Sequence, residues 1–420
     1  MFRAPPEWGV EPVPAEKKIL RSWDIIVLWS SLGVGLLVMQ AGALLVQWLG
    51  LSLFEATLIS IIGSIIGSLI LALAGVIGSK YGVPTMVSFR PILGVKGTYL
   101  FSLLNVIQLI GWSIFEVIIM GEAATSISGE FLGSYTRIFW STIFGLWCTL
   151  LAVYGPLAVV RQWLEKFAIW LVYISSIWIT FNLAQNITFT VESTLNNSSI
   201  LLGLDLVIAM PISWMPLISD YNRFARSVRE GVLGTFISYT IANAWFYIMG
   251  VMLATIYPSE SIVFSIAILM LGQVAILGIL VDETDNAFAD IYSAAVSIQN
   301  IFPKTRQWKL SAIIGILSLF LSYVIPIAQY ENFLFLIGAI FIPLFGILFA
   351  DYFVIRKGKY EISEFYDGKV IDFKAIFSWL TGFITYYLLT YIFTELSIGA
   401  TIPTLLTSFI VYLLIKKVKA

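Results

Sequence analysis

From residue 24 onward the chain alternates apolar runs of about 20 residues, each long enough to cross a hydrocarbon core, with short polar or charged breaks. Twelve spans are read: 24–49, 53–78, 97–125, 136–156, 166–187, 200–220, 231–256, 270–300, 309–325, 329–355, 373–394 and 398–415. The pattern predicts an all-α polytopic membrane protein of twelve transmembrane helices.

Composition agrees. Of 420 residues, 59% are hydrophobic and 12% charged, which leaves no room for a large soluble domain. The 14 Trp and 19 Tyr suit a protein with two membrane interfaces to anchor. A single cysteine, Cys148, and no histidine exclude a disulfide framework, zinc sites of the usual ligand types and imidazole relays. Any proton moved here must travel on carboxylates.

Charge then orients the spans. With the N-terminus inside, every one of the 24 basic residues except Arg137 falls on the cytoplasmic side, a strong positive-inside signal. The segment "MFRAPPEWGVEPVPAEKKILRSWD" is too charged and proline-rich for a signal peptide and reads as a cytoplasmic arm over residues 1–23. The triplets "NIT" at Asn186 and "NNS" at Asn196 are compatible with an outside loop. The expected location is the cell membrane, multi-pass, with both termini cytoplasmic.

Polar groups interrupt the pattern where lipid should be. "DETDNAFADIYSAA" follows an apolar run and places Asp282, Glu283, Asp285 and Asp290 within nine residues. A carboxylate facing mid-membrane costs roughly 3 kcal/mol, so these acids do not face lipid. Either the span ends at Val281 and they lie in a cytoplasmic loop, or it runs through them and they face a polar cavity. Asp282, Asp285, Asn286, Ala289, Asp290, Ser293 and Ser297 recur at steps of three and four and share a helical face; Glu283 falls off it. The third span carries a second polar stripe, Asn105, Gln108, Trp112 and Glu116, with Glu116 well inside apolar sequence. An intramembrane carboxylate of this kind is a functional-site candidate.

Two spans also carry helix breakers: Gly33 and Gly35 in the first, and Pro211 and Pro216 around Ser213 and Trp214 in the sixth. Freed backbone at membrane depth is tolerated only against protein or a watery cavity. The first and sixth spans would be corresponding elements of a five-plus-five inverted repeat, residues 24–187 and 200–355, followed by two further helices over 373–415 and a tail at 416–420.

The residues resemble the nucleobase:cation symporters, the permease group for cytosine, purines, uracil, thiamine and allantoin. The likeness lies in "EWGVEPVPAEKKILRSWD", "SLG" at 31–33, "GVIGSKYGVPTMVSFRPILGVKG", "SDYNRFAR", "DNAFADIYSA" and "ADYFVIR", in that order along nearly the whole chain. It implies alternating access around a midplane site. It also implies a sodium site built from carbonyls at Gly33 and Leu36 with Asp282, Asp285 and Asn286; the carboxylate of Asp285 replaces a usual hydroxyl, which leaves sodium or a proton as the coupling ion. Stacking of a flat heterocycle is implied for Trp112, with hydrogen bonding from Glu116 one turn on. The second stacking aromatic of the family falls on Pro211 here, and Trp214 is the replacement. Gln108, Ser213 and Asp290 complete the expected substrate set. "SWMPLISDYNRF" with "AFADIYSA" looks most like the branch for hydroxymethylpyrimidine, an aminopyrimidine.

A secondary transporter is favoured over a channel, because the polar residues are few and dispersed over four helices. A membrane enzyme is disfavoured, because no nucleophile-base pair, metal-ligand cluster or phosphate loop is visible. No cofactor, nucleic acid or obligate protein partner is expected.

Overall fold

The computed structural model describes residues 8–187, 197–326 and 330–417, and among these it contains helices and turns but no β-strand. The long helices, in chain order, are α1 Ser22–Ser31, α2 Leu36–Gln47, α3 Leu53–Ala74, α4 Gly97–Ser128, α5 Thr136–Tyr154, α6 Ile169–Asn186 and α7 Asn197–Ser213. They continue with α8 Val228–Ile256, α9 Gly272–Ile301, α10 Gln307–Ser322, α11 Tyr330–Phe349, α12 Phe373–Tyr387 and α13 Thr401–Lys417. Among the described residues eight helical segments are long and apolar enough to cross a membrane, nine when α1 and α2 are taken as one broken span. Two more helices, α10 and α13, are apolar but shorter. Asn196 lies outside the described residues.

The packing logic is that of a membrane protein. Along α3, Ser60, Gly63, Ser64, Gly67 and Ser68 point inward, while Ile61, Ile62, Ile65 and Leu69 are exposed. Large apolar side chains meet lipid and small ones let helices approach. The same economy operates between α2 and α8. A Cβ on Gly42 would lie 2.3 Å from the Tyr247 carbonyl oxygen, and one on Gly250 would lie 2.0 Å from that of Met39.

Contacts divide the central helices into two groups. The broken pair α1 and α2 packs with α3, α7 and α8, whereas α4, α5, α9 and α10 pack with one another. A third cluster, α11 to α13, leans against them. The first span is bent by 57° between its halves. Gly35 sits at the bend with φ +149°, where an L side chain would be strained. The sixth span behaves differently. It is interrupted after Ser213, turns through a 3-10 segment at Met215–Leu217 and resumes as Ile218–Asn222 without a comparable bend.

Opposite these breaks lies α9, which is one continuous helix. The acids therefore do not begin a cytoplasmic loop: Asp282, Glu283, Asp285 and Asp290 are all within α9 and all buried.

Candidate functional site

Four elements meet at a narrow cavity of about 20 Å3. The break of the first span contributes Leu32 and Gly35; α4 contributes Trp112 and Glu116; the sixth span contributes Ser213 and Trp214; and α9 contributes Glu283, Asn286 and Asp290. None of its lining residues is basic.

Backbone freed at the break is answered by side chains of α9. Leu36 N–H, at the start of α2, donates to both carboxylate oxygens of Glu283 at 3.2 and 3.1 Å. An anion at a helix N-terminus meets unpaired N–H groups and the positive end of the helix dipole. Asn286 Nδ2 donates to the Val34 carbonyl at 3.2 Å, while its Oδ1 is buried without a partner among the described residues. Gly35 makes this approach possible, since a Cβ there would stand 3.1 Å from the Glu283 carboxylate.

Around the other side of α9, Asp282 and Asp285 face the C-terminal end of α1. Ser31, the last residue of α1, donates its hydroxyl to Asp282 Oδ1 at 2.6 Å and lies beside Asp285 as well. Both Asp285 oxygens are buried without a hydrogen-bond partner among the described residues. A helix C-terminus and two buried carboxylates together create a region of negative potential suited to a cation. Gly33 lies at the same break, packed against Ala242 and Tyr239. No group of three or more His, Cys, Asp or Glu side chains among the described residues is arranged to hold a metal ion, so a cation here would need main-chain oxygens too.

The aromatic residues are held in defined orientations. Trp112 packs edge-on against Phe333, with centroids 5.7 Å apart. Trp214 packs edge-on against Trp29 at 6.4 Å, and Trp29 Nε1 is anchored on Asn222 Oδ1 at 2.8 Å. The Ser213 hydroxyl is committed to the Met210 carbonyl of its own helix at 2.7 Å. Gln108 does not line the cavity. Its Nε2 donates to Asn105 Oδ1 at 2.7 Å, and Asn105 Nδ2 in turn bonds the Pro216 carbonyl and Ser297 Oγ, tying α4 to the sixth span and α9.

Of the expected substrate set, Trp112, Glu116, Ser213, Trp214 and Asp290 are thus brought together. Of the expected cation set, Asp282 and Asp285 face α1, whereas Asn286 lines the cavity and Leu36 presents its N–H to Glu283. Glu283 is the residue that periodicity missed. Residues 283, 286 and 290 also recur at steps of three and four, and that second stripe was the available signal.

The family described as "Permease for cytosine/purines, uracil, thiamine, allantoin" matches residues 12–412. The chain belongs to that family. This permease is a membrane transporter and not an enzyme. It is 28% identical to the cytosine permease of Escherichia coli K12 over 332 residues, 74% of this chain and 73% of the relative. It is 25% identical to the allantoin permease of Bacillus subtilis strain 168 over 374 residues, 78% and 74% of the two chains. Its fold matches that of Mhp1, a nucleobase-cation-symport-1 family transporter solved in a closed conformation with bromovinylhydantoin bound. The TM-score is 0.77 at 15% identity, with 97% of this chain and 94% of the other covered. That likeness gives the permease the five-plus-five inverted repeat expected from its two interrupted spans.

Proposed function

We propose that the permease imports a small flat nitrogen heterocycle by cation symport, with the ring held between Trp112 and Trp214 and its donors directed at the carboxyl group of Glu116. The observation that carries this reading is the convergence of two tryptophans and three acids on one cavity at the break of the first span. Acids accept hydrogen bonds, so the cavity suits a donor-bearing ring face. An aminopyrimidine such as hydroxymethylpyrimidine fits, as does cytosine.

The coupling cation, sodium in the first instance, binds between the end of α1 and the carboxylates of Asp282 and Asp285. Alternating access follows from movement of the two helix groups about the cavity. In this topology the chain crosses the plasma membrane twelve times, with residues 24–187 and 200–355 as the two repeats, residues 373–415 as two further spans, and the arm and tail cytoplasmic. Substrate and cation then raise each other's affinity by the same factor.

The test is a thermal-shift and uptake panel of nucleobases, hydantoins and aminopyrimidines with the purified protein, with and without sodium at fixed pH. Stabilisation by one ring class, enhanced by sodium, is the expected result. Equal ring affinity with and without sodium would reject sodium coupling, and stabilisation by no ring would reject the substrate class.

A further inference from the structure

A second cavity, of about 310 Å3, lies where α2 and α12 end and α13 begins, beside the first half of α7. It is far roomier than the central cavity and shares none of its lining residues. Its one acid is Asp205 of α7, which accepts the Ala400 amide at 3.1 Å through one oxygen and the Thr401 amide at 2.9 Å through the other. Gly399 permits that approach, since a Cβ there would collide with Asp205. Each oxygen keeps a second lone pair for a further partner. No basic residue lines the cavity, and among the described residues Asp205 forms no ion pair.

Three aromatic rings line the same space: Trp48 just past α2, Tyr386 near the end of α12, and Tyr391 in the π-helical turn Leu388–Ile392 that follows. Tyr386 is buried, whereas Trp48 and Tyr391 are more than half exposed. Anchoring at a membrane interface accounts for exposed aromatics, but not for a carboxylate that lines the same cavity without a basic partner. A ring face carries negative potential, and together with a carboxylate it favours a cation over a neutral group of the same shape.

We propose that this cavity is a binding site for an alkylammonium group, with the positive nitrogen beside Asp205 and its carbon substituents against Trp48, Tyr386 and Tyr391. The remaining walls are aliphatic side chains and hydroxyls, which suit a small organic cation. A bare metal ion needs a cage of oxygens that one carboxylate does not make. The choline headgroup of a lipid and a free soluble amine offer the same chemistry, and the experiment separates the two sources. An occupant touches α2 and α7 of one helix group and α12 of the outer cluster, so its binding ties them together and stabilises the fold. The site is independent of the heterocycle reading.

The experiment titrates the purified full-length protein, in a maltoside detergent, with choline and with its neutral isostere, the alcohol in which carbon replaces the ammonium nitrogen. Choline should bind about tenfold more tightly than the isostere, the scale of a desolvated cation held on aromatic faces, and should raise the thermal midpoint. Asp205→Asn should abolish that preference. Because Asp205 also caps α13, Tyr391→Ala supplies a second test at an exposed position: it should fold as the wild type does and weaken choline several-fold, more than it weakens the isostere. No binding of choline, equal affinity for choline and the isostere, or choline affinity unchanged in both Asp205→Asn and Tyr391→Ala would overturn the proposal. The titration is repeated in nanodiscs of phosphatidylcholine and of phosphatidylglycerol, with Asp205→Asn as the reference for choline drawn to the anionic surface. Binding blocked in the first and kept in the second identifies the lipid headgroup as the occupant; equal binding in both identifies a soluble amine.

Discussion

The acids of the permease fall into two populations that differ in what neutralises them. Where α12 begins and α13 ends, Asp372 meets Lys416 Nζ at 2.8 Å and Lys369 Nζ at 3.1 Å, and its other oxygen caps α12 through the amides of Lys374 and Ala375. Nearby, Asp351 accepts from the Tyr360 and Tyr412 hydroxyls at 2.7 and 2.8 Å, with Arg356 at 3.9 Å. At the centre, Glu116, Asp282, Glu283, Asp285 and Asp290 are just as buried, yet among the described residues none forms an ion pair. Protein charges complete the peripheral sites. Under the proposed function, the central sites are left for what the permease carries. A buried charge without a partner is costly, so its retention marks work other than holding the fold together.

The sharpest way to break this contrast is Asp285→Asn. Interactions with a charged group contribute about 1.5–3 kcal/mol, so cation-dependent uptake should fall on the order of a hundredfold. The thermal midpoint should stay level or rise, because an amide is easier to bury. A large drop in midpoint with uptake preserved would move Asp285 into the peripheral class. Next in size is Trp112→Ala, which removes stacking worth about 1–3 kcal/mol. Substrate affinity should weaken roughly tenfold to a hundredfold in equilibrium binding, and Trp112→Phe should restore most of it.

Smaller effects are expected at the periphery, and on stability instead. Asp351→Ala leaves two tyrosine hydroxyls without their acceptor, a loss of about 1–3 kcal/mol. It should lower the thermal midpoint while uptake per folded molecule is unchanged. The smallest effect belongs to Asp372→Asn, below about 1 kcal/mol because its lysine pairs are partly solvated. Burial works against the ionised Asp372 carboxyl, but hydrogen bonds and charge from Lys416 and Lys369 outweigh it and hold the group below the usual aspartate range. A depressed carboxyl contributes stability above its unfolded value and loses it as pH falls through the folded one. The gap in midpoint between wild type and Asp372→Asn should therefore be full at neutral pH and close only in acid.

Much of this was legible along the chain. The apolar windows overlap the observed helices within a few residues, and Gly33 and Gly35 marked the bend of the first span. Trp112, Glu116, Trp214 and Asp290 were named from helical phase, breakers and family resemblance, and they meet in one cavity. Two features were not legible. The sixth span has prolines like a broken helix, but it lacks the bend of the first, because its interruption is absorbed by a 3-10 turn whose Pro216 carbonyl is bonded by Asn105. The acids of α9 read as one stripe with Glu283 outside it, whereas they serve two neighbours: Asp282 and Asp285 turn toward α1, and Glu283, Asn286 and Asp290 toward the cavity.

By itself the sequence determined that this chain is a helical membrane protein with acids that do not face lipid. Those are sums of transfer energies along the chain, and each depends on local composition alone. Tertiary structure alone decided what each carboxyl group meets. The Ser31 hydroxyl on Asp282 and the Leu36 amide on Glu283 depend on how α9 and the broken span are rotated against one another. A helical repeat says which residues share a face, but what that face meets is set by packing between distant segments.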